Sequence, residues 1–155
     1  TRVGAGPFPT IVAGDVEERL RSVGGEFGVT TGRPRDCGWL DLVALRYAIQ
    51  LNGCTGLAIT KLDVLSGFDE VKVCRSYRLN GQSTTKFPLS AELLERCVPE
   101  YENVAPWEEQ ISQVRDVSEL PKRVLEFVEL IESDVQVPIE IVSVGPEPEA
   151  TMMRN

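Results

Sequence analysis

Apolar positions along the chain form a helical stripe, then a short continuous run, then a strict alternation. From Trp39 onward, Leu40, Val43, Ala44, Tyr47, Ala48 and Leu51 recur at the spacing of one helix face, and Leu42, Leu45 and Ile49 occupy the opposite side. A helix apolar on both sides is a buried one. Asn52-Gly53 stops it, because both residues tolerate the left-handed conformation of a C-cap. Residues 56–60 then read as a short buried strand that runs straight into Lys61-Leu62-Asp63. Val71, Val73, Tyr77 and Leu79 alternate with Lys72, Cys74, Ser76 and Arg78, and Asn80-Gly81 supplies a type I′ turn before a return strand over 82–87.

The flanks are less regular. Residues 15–21 suit a short surface helix. "GEFGVTTGRPRDCG", residues 25–38, holds four glycines and a proline in fourteen residues, too long and irregular for a simple connector. Ser90 is a plausible N-cap for a short helix reaching Cys97. Ser118 would cap a longer helix with Leu120, Val124, Phe127, Val128 and Ile131 on one face. Pro138 opens a last β run, "PIEIVSVGP", and residues 150–153 suit an edge strand. With no internal repeat, low-complexity stretch or second domain in the pattern, residues 1–155 read as a single segment.

Charge narrows the chemistry. Sixteen basic and twenty-four acidic residues leave a net charge of −8, which argues against nucleic acid or an anionic membrane as partner. Any anion site must be built locally. The four cysteines, at 37, 54, 74 and 97, form no C-x-x-C pair and read as buried or half-buried free thiols. The chain has no histidine, so neither zinc-ligand spacing nor a Ser-His or Cys-His dyad is available. No apolar run approaches a membrane span and no signal peptide opens the sequence. It begins Thr1-Arg2-Val3 without a methionine, and the expectation is a piece of something longer.

Three loops carry candidate chemistry, each with an ordinary alternative. In Lys61-Leu62-Asp63, a carboxylate offers two acceptors at the separation of guanine's N1–H and exocyclic amine, and the stem of Lys61 would cover a face of the base. Charge-assisted bonds of this type contribute roughly 1.5–3 kcal/mol each. The alternative is a solvated loop after a strand. Val29-Thr30-Thr31-Gly32-Arg33-Pro34-Arg35 sets two guanidiniums on either side of a proline, suited to carboxylates or phosphates. Its alternative is a solvated turn with Arg35 beside Asp36. Ser143-Val144-Gly145-Pro146 offers a hydroxyl, backbone groups and a flat proline face, or is simply a strand end.

Taken together, "RVGAGPFPT", "EFGVTTGRPR", "CGWLDLVALRYA", "ITKLDVL" and "VPIEIVSVGP" resemble, in order and spacing, the adenylosuccinate synthetase family over essentially the whole chain, as roughly the C-terminal third of that enzyme. The resemblance implies an α/β fold, the C-terminal part of a P-loop-NTPase-like mixed sheet flanked by helices with an antiparallel hairpin subregion. It also implies a GTP-dependent ligase that joins IMP and L-aspartate into adenylosuccinate on the way to AMP. The family's guanine loop maps onto Thr60, Lys61, Leu62 and Asp63, and its S-x-G-P onto Ser143, Val144, Gly145 and Pro146. The aspartate loop maps onto Val29, Thr30, Thr31, Gly32, Arg33, Pro34 and Arg35. Arg33 also faces IMP, Arg35 also faces GTP, and Val3 lies near IMP. Pro34 stands where many bacterial members carry another arginine, and residues 11–23 depart further.

The same resemblance puts the phosphate-binding glycine loop, the catalytic aspartate and histidine and the magnesium ligands in an N-terminal part, and no G-x-x-x-x-G-K-[ST] appears here. The chain is therefore expected to carry no catalytic residue and no metal ligand, and to be inactive alone. The complete enzyme is expected to be a cytoplasmic homodimer that uses Mg2+. The alternatives are a stand-alone guanine-nucleotide-binding module and an inert structural fragment of a split enzyme.

Overall fold

A computed structural model describes residue 1 and residues 4–154; the expectation for Val3 falls outside the described residues. In chain order the elements are α1 (Asp15–Gly24), β1 (Leu40–Asp41), α2 (Leu42–Asn52), β2 (Leu57–Ile59), β3 (Val71–Leu79), β4 (Gln82–Thr84), α3 (Ala91–Glu95), β5 (Val98–Val104), α4 (Lys122–Val135), β6 (Ile139–Ser143) and β7 (Thr151–Met153). Short 3-10 turns sit at Leu62–Leu65, Val117–Glu119 and Pro148–Ala150. The chain resolves into two compact units, one of Thr1–Tyr47 with Lys72–Glu102 and the other of Ala48–Val71 with Asn103–Asn155.

In the first unit β3 is the common partner. It pairs in parallel with β1 (Leu40 opposite Val73, Asp41 opposite Cys74) and antiparallel with β4, and β5 also pairs with it. The β3–β4 hairpin turns at Asn80-Gly81, both with positive φ (52° and 81°), as the type I′ signal requires. Val43, Cys74, Tyr77 and Cys97 form the buried cluster, with Leu79, Phe87 and Leu94 packed against it and Phe87 stacked on Tyr47 at 4.7 Å. The opening stretch is tied in at Gly38. The Trp39 N–H bonds the Thr10 carbonyl at 3.1 Å, and a Cβ on Gly38 would meet that carbonyl at 2.5 Å and the Phe8 ring at 2.7 Å. Only glycine fits so close an approach.

The second unit holds the sheet β2-β6-β7, with β2 and β6 parallel and β6 and β7 antiparallel. The α4 face expected from the sequence is the buried one: Val124, Phe127, Val128 and Ile131 are all enclosed, and Val135, not anticipated, extends it. Complete enclosure of one such side chain contributes roughly 1.5–3 kcal/mol, so this face is a main source of the unit's stability.

Several expectations are corrected. α2 is not a buried helix, since only Leu42 and Val43 are enclosed and Leu51 is 66% exposed. Two apolar sides need two covering layers, and this chain covers only the first turn. β2 is half exposed for a related reason: it pairs with β6 alone and lies at the sheet edge. Cys74 breaks the alternation, because it is fully buried in the same cluster as Tyr77. The return strand stops at Thr84, whose hydroxyl accepts the Lys86 N–H at 3.1 Å. Ser118 does not cap α4. Asp116 accepts the Ser118 N–H at 2.8 Å to start a 3-10 turn, and α4 begins only after Pro121. Ser90 does cap α3, accepting from Leu93. β5, "VPEYENV", was not legible as a strand: it is polar and largely exposed, and its pairing with β3 defines it.

One polar group anchors the first unit. Asp41 caps α2 by accepting the Ala44 N–H at 3.0 Å on one oxygen, and the Tyr77 hydroxyl donates to the other. Burial pushes the Asp41 carboxyl above its usual range, while the Tyr77 bond pulls the other way. Tyr77→Phe removes a side-chain donor that offsets this burial, leaving the Arg46 charge to act in the same sense. Unfolding should show a loss of about 1–3 kcal/mol at neutral pH. The loss should shrink in acid, where a protonated Asp41 no longer needs the donor; an equal loss at both pH values would contradict the assignment.

Candidate functional site

Parallel pairing decides where the second unit's loops emerge. Leu57, Ala58 and Ile59 of β2 sit opposite Ile139, Ile141 and Val142 of β6, so both strands end at the same edge of the sheet. Lys61-Leu62-Asp63 leaves β2 there and Ser143-Val144-Gly145-Pro146 leaves β6 beside it. Ligands of open α/β sheets bind outside such carboxyl ends.

The first of these loops is held from below. Lys61 adopts a left-handed conformation (φ 61°) and caps the 3-10 turn Leu62–Leu65, a conformation that costs a non-glycine residue roughly 1–2 kcal/mol. Leu62 and Val64 are buried and pin the turn. Behind it, the Gly67 N–H bonds the Trp107 carbonyl at 2.8 Å and the Trp107 indole N–H donates to the Ser66 hydroxyl at 3.2 Å. Trp107 is itself fully buried, its ring 5.7 Å from that of Phe127. The strained, exposed Lys61 and the half-buried Asp63 thus stand on a packed base, while Leu62 is turned into it.

Asp63 is the anomaly of the unit. Its Oδ1 is enclosed and has no hydrogen-bond partner. Burial raises the carboxyl above its usual range. Its own backbone N–H, the Lys61 charge and the Val64 N–H act in the opposite sense, and Glu147 adds to the rise. That Asp63 feels Glu147 brings the end of the second loop to the first. In that loop Ser143 is buried and its hydroxyl donates to the Gly145 carbonyl at 2.9 Å. Val144 is fully buried, and its N–H bonds the Ala150 carbonyl at 3.1 Å. Pro146 is exposed beside them.

Residues 25–35 belong to the first unit. They fold back on themselves as a small closed loop, with Phe27 bridged to Pro34 and the Gly28 N–H on the Arg33 carbonyl at 2.8 Å. Gly32 makes the return with φ 61°. Val29, 98% exposed, stands at the tip with Thr30 and Thr31, an apolar side chain wholly in water. The Thr31 hydroxyl accepts the Arg33 N–H at 3.4 Å. The two arginines differ. Arg33 is exposed, and its guanidinium has no partner among the described residues. Arg35 pairs at 3.1 Å not with its neighbour Asp36 but with the buried Glu26.

The two strand-end loops therefore share one edge of the second unit, and the arginine loop belongs to the first. Sequence reasoning missed Glu147 and Glu26. Neither stands in a pattern, and only the loop closures bring them to Asp63 and Arg35. Among the described residues no group of three or more histidine, cysteine or acidic side chains could hold a metal ion, and no helix is long and apolar enough to cross a membrane. All four cysteines are free, three buried and Cys54 half-buried.

Comparison with known proteins is unambiguous. The family model described as adenylosuccinate synthetase matches residues 1–152. The adenylosuccinate synthetase of Aquifex aeolicus is 54% identical over 147 residues, covering 95% of this chain and 34% of that protein. That of Salinibacter ruber is 54% identical over 146 residues, covering 94% and 33%. A structure described as fully ligated adenylosuccinate synthetase from Plasmodium falciparum superposes with a TM-score of 0.94 at 37% identity, covering 99% of this chain and 37% of that one. The expected fold, mixed α/β sheets flanked by helices, is thereby shared. The chain spans about a third of the length of the relatives it matches.

An enclosed acceptor without a donor is a burden on folding. Asp63→Asn should leave the thermal midpoint at or above the parent's. The sign with pH follows: Asp63, raised above its unfolded 3.8, holds its full contribution below that value and loses it as pH rises through the folded pKa. The asparagine variant should lack that component, and a clear fall in its midpoint at neutral pH would mark the carboxylate as structural.

Proposed function

This chain belongs to the adenylosuccinate synthetase family, and on that premise we propose that it is the guanine-reading and aspartate-gripping part of a GTP-dependent ligase. The whole enzyme joins IMP to L-aspartate: a phosphoryl group passes from GTP to the 6-oxygen of the base, and the amino group of aspartate displaces it to give adenylosuccinate. The chain is the C-terminal third of that enzyme. The matched shares give only how much of a relative's length is spanned, and the order of the motifs supports this end.

The observation that carries the reading is the unpartnered, enclosed Oδ1 of Asp63 at the mouth of two parallel strands. Guanine supplies two adjacent N–H donors, so a carboxylate is satisfied by it; adenine, with an acceptor at N1 and no amine at C2, would leave the charge buried and unpaired. Lys61 lies over the base with its aliphatic stem. Leu62 contributes backbone, and Ser143, Val144, Gly145 and Pro146 flank the base from the neighbouring strand.

In the arginine loop, Val29, Thr30, Thr31, Gly32, Arg33, Pro34 and Arg35 close over aspartate. Arg33 also faces IMP, Arg35 also faces GTP, and Val3 lies on the IMP side. A dicarboxylate flanked by phosphates calls for paired guanidiniums, which bind such anions bidentately. Magnesium, when bound, would neutralise charge on the transferring phosphoryl group. The residues that would hold it belong to the N-terminal part of the enzyme. The chain alone is inactive, and the complete enzyme is a cytoplasmic homodimer. Mixing it with the remaining two thirds of a relative should restore adenylosuccinate formation only when those two thirds are N-terminal.

In the complete enzyme, Asp63→Asn exchanges an acceptor for a donor. It should raise the KM for GTP by the equivalent of about 2–5 kcal/mol and favour xanthosine triphosphate, whose C2 oxygen accepts. An unchanged KM for GTP would remove Asp63 from the base. Arg33→Leu should impair the use of aspartate far more than that of GTP, and aspartate kinetics near wild type would reject its role.

A further inference from the structure

Arg33 and Arg35, two positions apart, are held in opposite ways. Arg35 is held from outside the loop tip at its backbone and at one end of its guanidinium. Its N–H bonds the Glu26 carbonyl at 3.0 Å, and its carbonyl accepts from the Arg21 Nε at 3.0 Å. Its guanidinium bonds the Glu26 carboxylate at 3.1 Å. Glu26 is 9% exposed and its own N–H bonds the Arg21 carbonyl at 2.8 Å, while the Arg21 guanidinium also pairs with Glu17 one turn back along α1. A closed circuit of helix end, buried carboxylate and guanidinium thus grips the base of the loop. Arg33, beyond it, has its backbone in the loop and its charge in water.

A buried carboxylate facing an arginine is electrostatically the same kind of partner as a ligand carboxylate or phosphate. A guanidinium keeps donors to spare after one such bond, since it carries five N–H groups. Glu26 therefore holds the Arg35 fork in place and leaves the rest of it for a ligand, so the entropy of ordering that long side chain is spent before the ligand arrives.

We propose that Glu26 is a positioning residue of the aspartate loop: it presets Arg35 as the fixed arm of a two-arginine clamp whose mobile arm is Arg33. The proposal rests on the reading of this loop given above. It goes beyond that reading by assigning a role to a residue outside the loop and by giving the two arginines different tasks.

The test uses the complete enzyme with Glu26→Gln, Arg35→Gln and the double variant, with aspartate kinetics at saturating GTP and IMP. Glu26→Gln keeps the shape and loses the charge. It should raise the KM for aspartate about tenfold, the equivalent of one charge-assisted hydrogen bond, with kcat within about threefold of wild type. In the Arg35→Gln background the same change should add less than about twofold, because the two residues act as one unit. A KM unchanged by Glu26→Gln, or a full tenfold added on top of Arg35→Gln, overturns the proposal. A residue that merely held the loop's fold would lower kcat and the thermal midpoint together and would multiply the Arg35→Gln defect. If Glu26→Gln does not fold, Glu26→Asp withdraws the carboxylate by one methylene and should give a smaller rise in the same KM; no rise overturns the proposal. Wild-type turnover is measured first, since its absence condemns the reading of the enzyme and not the role of Glu26. A crystal structure of the Glu26→Gln enzyme decides independently of activity: an Arg35 guanidinium unmoved from its wild-type position overturns the proposal.

Discussion

The parallel register between β2 and β6 is the constraint on which the second unit's site depends. Because the two strands run the same way, Lys61-Leu62-Asp63 and Ser143-Val144-Gly145-Pro146 emerge at one edge. An antiparallel pairing would have sent them to opposite ends. The buried Trp107, bonded to Ser66 and Gly67, then prevents the first loop from relaxing. Without that base, Lys61 would leave its left-handed conformation and the Asp63 oxygen would turn to water. Packing energy elsewhere in the unit maintains a local arrangement that is unfavourable in itself.

The first unit solves the opposite problem, keeping charge in place on a protein of net charge −8. With acidic groups in excess, a free arginine has many competing partners. Here the competition is removed for Arg35 by a single buried carboxylate and left open for Arg33. Asp41 shows the same logic in a structural role: it is half-buried, and both oxygens are used, one by the start of α2 and one by Tyr77. Asp63 and Asp41 are both carboxylates raised by burial. What separates a candidate ligand-binding group from a structural one is that one enclosed oxygen of Asp63 still lacks a donor.

Much of this was legible in the sequence where one local rule decides the outcome. Asn80-Gly81 fixed its hairpin, Ser90 its short helix, and the spacing of Val124, Phe127, Val128 and Ile131 the buried face of α4. The three loops were legible as loops because glycine, proline and paired charges interrupt the apolar pattern. What failed depends on neighbours far along the chain. α2 and β2 have the composition of buried elements, but burial needs a covering layer that this third of the family's length does not contain. β5 is a strand because β3 offers it hydrogen bonds, which no residue of "VPEYENV" announces. Glu26 and Glu147 carry no motif at all, and their significance comes only from what the folded loops bring to them.

The enclosed oxygen of Asp63 waits for a guanine. The direct measurement is a crystal structure of the complete enzyme with a guanine nucleotide bound. The expected result is both Asp63 oxygens within about 2.7–3.2 Å of the N1 and N2 nitrogens of the base. A structure in which Asp63 faces solvent, or in which the base lies elsewhere, would contradict it.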